Sequence, residues 1–567
     1  MLRRCALLLT FAAACDGYIS TPAPLPAPDA PGLPPATVPT TPAVPTATPP
    51  RPLENGWPSF APTQPYGLRR LTSAQYEASA VALLGVSTAG MPPIEPVSAV
   101  AGFDTIGTSS AVVTSGGVAQ FEGAAMFLAA AAFATPAART KVSPCTPANV
   151  DDVACFRAFA TTFGRRAFRR ALTTTELDRY TTLAHDVATA AADPWKGLEF
   201  ATSAFLQSPG FLYLAEVGEP DPAAPGHLRF TSDEMAARLS FFLTNSAPDD
   251  ALLDAAAAGT LVTPSAVAAQ TDRLLGKPQA RQALRSFTTS LLALDGLDGL
   301  SRPTQLFPRF TPTLGPALKE ETLLTFEDLV FDRDGDYREL FTRSSTFANP
   351  ELAAFYGLPA PAGAGFSQVT FPAGTKRLGL LGQAGVLAVH DHEGTTSPTR
   401  RGLFVLTRLL CQPISLSPPA GLVIPPAPSG VMTARQRLEQ HSKNAACASC
   451  HRSMDAVGLS LERFDALGVY RDDDRGLPID DTGLLGDQTY AGQPGLAALV
   501  ARAPALGPCL VQALYGSAVG HLPTEFDRSS YAAAVAAFET GQGRLKPVLR
   551  AVATSEGFRS PPTSQGP

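Results

Sequence analysis

One short motif in this chain has the residue types and spacing of a cofactor attachment site. Cys447 and Cys450 are separated by two residues, and His451 follows directly. In c-type attachment each thiolate adds to one haem vinyl group, and the two-residue spacing matches the separation of the vinyls. The next histidine places its imidazole under the iron. The motif therefore predicts one covalently bound haem c, attached through both cysteines and ligated by His451.

Other uses of the same cysteines are open. A zinc site would need two more ligands, and His390 with His392 is the obvious donor pair. A redox dithiol requires a βαβ setting that the sequence lacks, and a disulfide across two residues would close a small, strained ring. Haem is the favoured interpretation because the complete motif should arise by chance in roughly one such chain in a thousand.

The sixth ligand of the iron is open. Small soluble cytochromes c usually supply a methionine well downstream, but the methionine that follows the motif is Met454, only three residues beyond His451. An open site is one possibility, and the candidate ligands are Met432, His390, His392, His441 and His521. Arg400 or Arg401 could meet the haem propionates, since guanidinium groups match carboxylate geometry. The slot for the haem should be walled by apolar side chains that flank the motif, namely Leu438, Met454, Val457, Leu459, Leu461 and Phe464.

The composition describes a folded chain that does not bind nucleic acid. Of its 567 residues, 45% are hydrophobic and 17% charged, so most of the chain can bury a core. The net charge is −6 with no basic block, which argues against a nucleic-acid partner.

The N-terminus predicts export and a lipid anchor. Arg3 and Arg4 precede an apolar stretch, residues 5–14, that is too short to span a bilayer. It ends in three alanines before Cys15 and resembles a bacterial lipobox, in which the cysteine is diacylated and becomes the first mature residue. A plain signal peptide cleaved near Ala14 is the alternative. This N-terminal stretch is the one apolar segment expected to meet a membrane. Both interpretations export the protein, and its expected location is the cell envelope, as a periplasm-facing or outer-membrane lipoprotein.

A proline-rich tract separates this anchor from the folded body. Residues 20–66 mix proline with alanine and threonine and have too little apolar bulk to pack. At ~3.1 Å per residue in polyproline II, the tract is a semi-rigid tether that reaches up to roughly 140 Å. A disordered tether of this kind is expected after a membrane anchor.

The folded body is predicted to be mainly α. Residues 71–76, 172–177 and 230–235 each place threonine at an N-cap and glutamine or glutamate at N3, the pattern of a capping box. Hydrophobic spacing predicts further helices over 194–206, 266–275, 280–294, 314–331, 399–410 and 496–514. Short strands are expected over 366–371 and 379–387.

Breaks rich in glycine and proline suggest the domain boundaries of a multi-part body. After a signal peptide (1–15) and a linker (16–66), the expected helical domains are 67–150, 151–225, 226–360, a haem-binding domain at 361–488, and 489–567.

Four further cysteines are expected to form disulfides. Once Cys5, Cys15 and the motif are assigned, an even number of cysteines is left in an exported chain, which favours pairing. Cys145 and Cys155 are close in sequence and make the natural local pair. Cys411 with Cys509 follows by elimination, and free buried thiols are the alternative.

The folded body resembles a known family along almost its whole length. The motifs are the opening at 70–76, the arginine-rich segment 163–170, the segments 206–213 and 238–243, residues 396–402, the cysteine motif, and 462–468 with Arg471. They resemble the multi-domain proteins of planctomycetes and myxobacteria called planctomycete cytochrome C domain proteins, a string of adjacent domains of unknown function. The resemblance implies haem binding and periplasmic electron transfer, but it does not indicate a substrate. Ala456 lies where the family usually has a proline. This difference does not affect the attachment residues.

Three functions are compatible with these observations. The first is an envelope-anchored c-type haem protein in periplasmic electron transfer or redox chemistry, with an unknown redox partner. The second is a haem enzyme of peroxidase or dehydrogenase type, because the body is larger than an electron carrier needs. The third is a non-redox surface-binding lipoprotein in which the motif is structural, held by a disulfide or by zinc.

Overall fold

Capping boxes start three helices at the positions that the sequence predicts. A computed structural model describes residues 67–414, 430–443 and 445–562. In α1 (Ser73–Leu84), the Thr72 hydroxyl accepts a hydrogen bond from the Gln75 amide at 3.2 Å, and the Gln75 side chain accepts one from the Thr72 amide at 3.1 Å. Equivalent pairs cap the two helices that begin after Thr173 and Thr231. Each box satisfies amide groups that a helix N-terminus otherwise leaves unpaired.

The first third of the described chain is a group of eight helices. After α1 they are α2 (Asp104–Gly107), α3 (Ser115–Phe133), α4 (Pro136–Val142), α5 (Val153–Phe168), α6 (Thr174–Ala191), α7 (Pro194–Leu206) and α8 (Pro209–Leu212). The predicted helix 194–206 is α7. Helix α7 packs against α3, α5 and α6, where Phe159, Phe163 and Phe205 are buried in a core of their own.

Seventeen more helices complete the described body. The next ten are α9 (Ser232–Thr244), α10 (Asp250–Ala257), α11 (Pro264–Leu275), α12 (Gln279–Leu292), α13 (Leu314–Glu327), α14 (Glu339–Thr342), α15 (Pro350–Tyr356), α16 (Gly379–Gly382), α17 (Ala384–Ala388) and α18 (Pro398–Phe404). The last seven are α19 (Ala434–His441), α20 (Ala445–Gly458), α21 (Gly492–Arg502), α22 (Leu506–Val519), α23 (Arg528–Thr540), α24 (Leu545–Thr554) and α25 (Glu556–Arg559). Single π-helical turns extend α13 and α18, over Asp328–Asp332 and Val405–Leu409.

The strands are short and pair only in twos within the described chain. They are β1 (Leu68–Arg70), β2 (Tyr213–Ala215), β3 (Glu219–Pro220), β4 (Leu228–Arg229), β5 (Ser345–Ala348), β6 (Ser367–Thr370), β7 (Asp473–Asp474), β8 (Leu477–Pro478), β9 (Thr482–Leu485) and β10 (Gln488–Ala491). The five antiparallel pairs are β1–β2, β3–β4, β5–β6, β7–β8 and β9–β10. With 58% helix and 7% strand, the fold class is mainly α, and that prediction is confirmed.

Two predictions of local structure are wrong. Residues 379–387 form α16 and α17 rather than a strand. Their apolar run is buried on every side, and periodicity cannot distinguish a buried strand from a buried helix. The predicted helix 496–514 is two helices, α21 and α22, bent by 72°. Pro504 causes the break, since the residue before a proline avoids the helical region, and Ala503 is extended with φ −66° and ψ 126°.

Two large hydrophobic cores and a small third cluster hold the described body together. One is built from α1 and α3–α8, and the other joins residues of α9 to α25 with Phe103 and Ile106. The described parts of 226–360, 361–488 and 489–567 therefore share one core, and the domain boundaries stay predictions. Helix α3 is also long and apolar enough to cross a membrane, although the sequence predicted one such segment, at the N-terminus. Ala124 and Leu128 of this helix are buried in the smaller core, but less than half of its residues are buried.

Two disulfides brace the body. Cys145 pairs with Cys155, with Cα atoms 5.8 Å apart, and Cys411 pairs with Cys509, with Cα atoms 5.3 Å apart. These are the two pairs that the sequence predicts. Cys15, the predicted lipid attachment site, and the proline-rich tract lie outside the described residues.

Candidate functional site

Helix α20 carries the cysteine motif. Cys447 is 5% exposed and is a free thiol. The side chain of Cys450 lies outside the described part of the chain. His451 follows on the same helix with a quarter of its side chain exposed. The helix thus presents one buried thiol and one accessible imidazole.

Glycines let α18 cross α20 at very short range. A Cβ added to Gly402 would overlap the carbonyl oxygen of Met454, and one added to Gly458 would overlap that of Pro398. The two backbones therefore touch with no side chain between them. This approach brings Thr399 of α18 to the Asp455 carboxylate of α20, to which its hydroxyl donates a hydrogen bond of 2.6 Å.

The imidazole of His451 is oriented by that carboxylate. Its Nδ1 lies 3.2 Å from Asp455 Oδ2, one helical turn along α20. Burial raises the pKa of Asp455, while the Thr399 hydroxyl and then His451 act in the opposite direction. With Nδ1 facing the carboxylate, Nε2 is the nitrogen left to ligate a metal. Metal-binding histidines commonly have this arrangement, because a carboxylate that accepts a hydrogen bond from one ring nitrogen orients the other toward the metal.

Helix α19 places His441 beside His451. The helix begins at a capping box of Thr433 and Gln436, and the two imidazole centroids are 4.6 Å apart at 70°. A ring in direct contact with His451 cannot also lie across an iron from it, so this position is not that of an opposite-face ligand. Met432 precedes the helix, and its Sδ accepts a contact from Gln440 Nε2 at 3.4 Å.

The three other candidate histidines have separate environments. His390 stacks on Phe404 with centroids 4.2 Å apart, and its Nε2 is buried without a hydrogen-bond partner among the described residues. Burial, with the nearby Arg400 and other arginines, lowers the pKa of His390 to about 3. His392 is exposed, so the two histidines do not converge as a donor pair. His521, beyond α22, donates through Nδ1 to the Leu522 carbonyl at 2.8 Å. No group of three His, Cys, Asp or Glu side chains suited to a metal occurs among the described residues.

Arg401 is an internal clamp and not a surface cation, so the suggestion that it meets a propionate is wrong. Its guanidinium is 1% exposed and pairs with Asp391 at 2.5 Å. It also donates to the carbonyls of Leu461, Phe464 and Asp465 at 2.7–2.9 Å. These bonds use the donors that a propionate would need. Arg400, by contrast, is exposed.

The apolar residues expected to wall a haem slot belong mostly to the larger core. Met454, Val457, Leu461 and Phe464 are at most 4% exposed and are members of that core. Leu438 of α19 is half-buried. These side chains anchor α20 to the body and hold the His451 face of the helix toward the surface.

Asp455 and Thr399 were not predicted as site residues. Asp455 could have been found, because residues four apart on a helix share a face and a carboxylate there meets His451. Thr399 could not, since its contact joins residues 56 positions apart.

A second polar cluster, also missed, lies inside the larger core. Glu321 of α13 is fully buried, and it accepts hydrogen bonds from Thr346 Oγ1 at 2.6 Å and the Tyr356 hydroxyl at 2.8 Å. Burial raises the pKa of Glu321 to about 7, against the pull of these donors and of Arg377. Its spacing from the buried Ala317 and Leu318 on the same helix was a signal that it faces inward.

This cluster predicts a pH-dependent stability. A carboxyl with a raised folded-state pKa stabilises the fold fully at low pH and loses that contribution as pH rises from about 4.5 to about 7. The loss is on the order of 3 kcal/mol. We expect Glu321→Gln to reduce the decline in stability between pH 5 and pH 8 by this amount, as measured by urea unfolding. Glu320→Gln, at the partly exposed neighbouring position, is the matched control and should retain it. An unchanged decline in Glu321→Gln would contradict the assignment.

Three adjacent stretches of the chain match known protein families. Residues 155–216 match the family described as Protein of unknown function (DUF1595), residues 230–358 match Protein of unknown function (DUF1592), and residues 377–474 match Protein of unknown function (DUF1588). The last range includes the cysteine motif. No curated protein and no solved structure matches. The three families belong to the domain series that the sequence motifs resemble, so that resemblance is confirmed.

Proposed function

We propose that this chain, a member of the planctomycete cytochrome C-type domain series, is an envelope-anchored c-type haem protein that transfers electrons. The families matched are cytochrome-like and carry no assigned activity. The proposal assigns one haem to Cys447, Cys450 and His451. The observation that carries it is the hydrogen-bonded series Thr399–Asp455–His451, which orients Nδ1 inward and leaves Nε2 available as a ligand.

The attachment residues Cys447 and His451 fit a covalently attached haem, whereas the apolar side chains expected to wall its slot are packed in the larger core. Cys447 is a free thiol although two disulfides form elsewhere in the described chain, so it has not been used for structural pairing. When bound, haem supplies one-electron chemistry at its iron. Asp455 holds the imidazole in one tautomer and raises its basicity. Because α20 packs closely against α18, Asp455 and His451 are both attached to a helix held against the body.

The direct test is the spectrum of the full chain purified from a bacterial periplasm that attaches c-type haem. We expect a pyridine haemochrome spectrum typical of two thioether bonds, with haem retained after denaturation. Cys447→Ser should shift the spectrum to that of a single thioether or abolish attachment, since one vinyl loses its partner. Protein that binds no haem under these conditions, or that binds zinc in equal molar amount instead, would contradict the proposal.

The anchor is a separate part of the proposal. It is supported by the lipobox-like sequence before Cys15 and by the two disulfides, which are typical of exported chains. We expect Cys15→Ser to move the protein from the membrane fraction to the soluble periplasm, because a lipid chain is the main membrane contact. Cys5→Ser, which changes a residue inside the predicted signal, is the matched control and should leave fractionation unchanged. Mature protein with an unmodified N-terminus at residue 15 or 16 would disprove the anchor.

A further inference from the structure

A narrow crevice lies among α9, α12, α22 and α24, and neither α18 nor α20 contributes to its lining. Its cavity volume is about 60 Å³. Most of the lining is apolar, including Phe241, Phe242, Leu284, Phe287, Leu514 and Leu545. The crevice is therefore a surface for a thin apolar group, and it is distinct from the site on α20.

Two buried arginines also line this crevice. Arg69 and Arg238 both pair with Glu216, through N–O distances of 3.1 Å and 2.6 Å. Side-chain exposure is 7% for Arg69, 0% for Arg238 and 1% for Glu216. A cluster with two guanidinium groups and one carboxylate has a net charge of +1 in a region shielded from water.

The guanidinium group of Arg238 lacks part of its hydrogen-bonding partners. Arg238 Nη2 is buried and has no hydrogen-bond partner among the described residues. The rings of Phe230 and Phe558 lie 4.4 Å and 4.8 Å from the guanidinium carbon of Arg238 and offer only their π faces. Burial, with Arg238 as a second positive neighbour, lowers the pKa of Arg69. A buried cation without a matching anion is costly, and a bound anion would offset that cost.

The lining residues range from buried to half-exposed. Arg238 and Leu214 are buried, whereas Ser290, Phe331 and Leu549 are half-exposed. A ligand can therefore combine a charged group at the arginines with an apolar part that extends along the walls toward solvent.

We propose that this crevice binds an amphiphilic monocarboxylate, with its carboxylate at Arg69 and Arg238 and its alkyl chain along the apolar walls. A single negative charge balances the net +1 of the cluster. Carboxylate oxygens match the paired donors of a guanidinium, which favours this head group over a neutral one. The site goes beyond the proposed haem function and does not depend on it.

Calorimetric titration of the full chain with three ten-carbon probes tests the head group. The probes are decanoate, decanol and decyltrimethylammonium, used below their micelle concentrations. We expect decanoate to bind at least ten times more tightly than decanol and the cation not to bind. Equal binding of decanoate and decanol, or no binding of decanoate, would overturn the proposal.

Variants separate the charged and apolar ends of the site. Arg238→Gln leaves the neutral Arg69–Glu216 pair, so we expect the fold to survive and decanoate binding to weaken about tenfold or more, with decanol little changed. Ser290→Phe fills the crevice from α12 without altering any charge, and it should abolish binding of decanoate and decanol alike. Gln282→Phe places the same side chain at an exposed position on α12 as the matched control. Decanoate binding that Ser290→Phe leaves intact would place the ligand elsewhere and overturn the proposal.

Discussion

Replacement of His451 by alanine is expected to abolish the spectrum of histidine-ligated haem and to lower the fraction of protein that carries covalent haem. His451 supplies the one imidazole in the motif, and its Nδ1 is already held by Asp455 at 3.2 Å. Without it, neither Nε2 nor the oriented ring is present to bind the iron during attachment. We expect attachment to fall roughly tenfold or more, in line with the loss of a primary metal ligand. Absorption spectra of oxidised and reduced protein, with haem per chain by pyridine haemochrome, measure both effects.

Two variants give this experiment its controls. His392→Ala changes an exposed histidine and should leave both the spectrum and the haem content unchanged. Asp455→Asn keeps an acceptor near Nδ1 but removes the charge, so we expect attachment with a higher midpoint potential, because a carboxylate partner stabilises ferric iron through a more basic imidazole. An unaltered spectrum in His451→Ala would be decisive against the role assigned to this residue.

Replacement of Gly402 by alanine is expected to destabilise the body by about 1–3 kcal/mol or more, the cost of overpacking a close contact. The new Cβ would overlap the backbone carbonyl of Met454, which cannot move without shifting α20. In an unobstructed helix the same change would be favourable, because alanine has the higher helix propensity. A lower free energy of unfolding would therefore result from the close α18–α20 crossing. Urea unfolding measures this change.

Gly123→Ala is the matched control for that substitution. Gly123 lies within α3, and an added Cβ there meets no atom within 4 Å. We expect it to stabilise the protein by about 0.5–1 kcal/mol. Equal effects of the two substitutions would show that the helices do not approach as closely as described. Reduced haem attachment in Gly402→Ala, with the body still folded, would link the crossing to the placement of His451.

Local signals in the sequence predicted local structure well. The capping boxes at Thr72, Thr173 and Thr231 were found because their partners lie three residues away, and helix spacing placed α7 at its bounds. The failure at 379–387 has a physical cause, since a run buried on all sides has no periodicity to read.

The candidate site was only partly predictable for a related reason. Its cysteines and His451 lie close together in the sequence, but Thr399 and Gly402 contact α20 from more than 50 positions away. Arg401 binds the segment that follows α20, at Leu461 and Phe464. Arg401 in particular has the sequence context of a surface charge. Its partners are mainly backbone carbonyls, so the residue types in the sequence give no signal of these contacts.

The Cys411–Cys509 disulfide encloses the whole cysteine motif in a covalent ring of the chain. Both α19 and α20 lie between these two residues, which are 98 positions apart. A single proteolytic cut anywhere inside the ring cannot release the segment that carries the cysteine motif, because each cut end stays joined to the body through one of the two cysteines. Release would need a second cut, or a reductant acting on the nicked chain. A nicked molecule would thus migrate as one species under non-reducing conditions and keep the cysteine motif attached to the rest of the body.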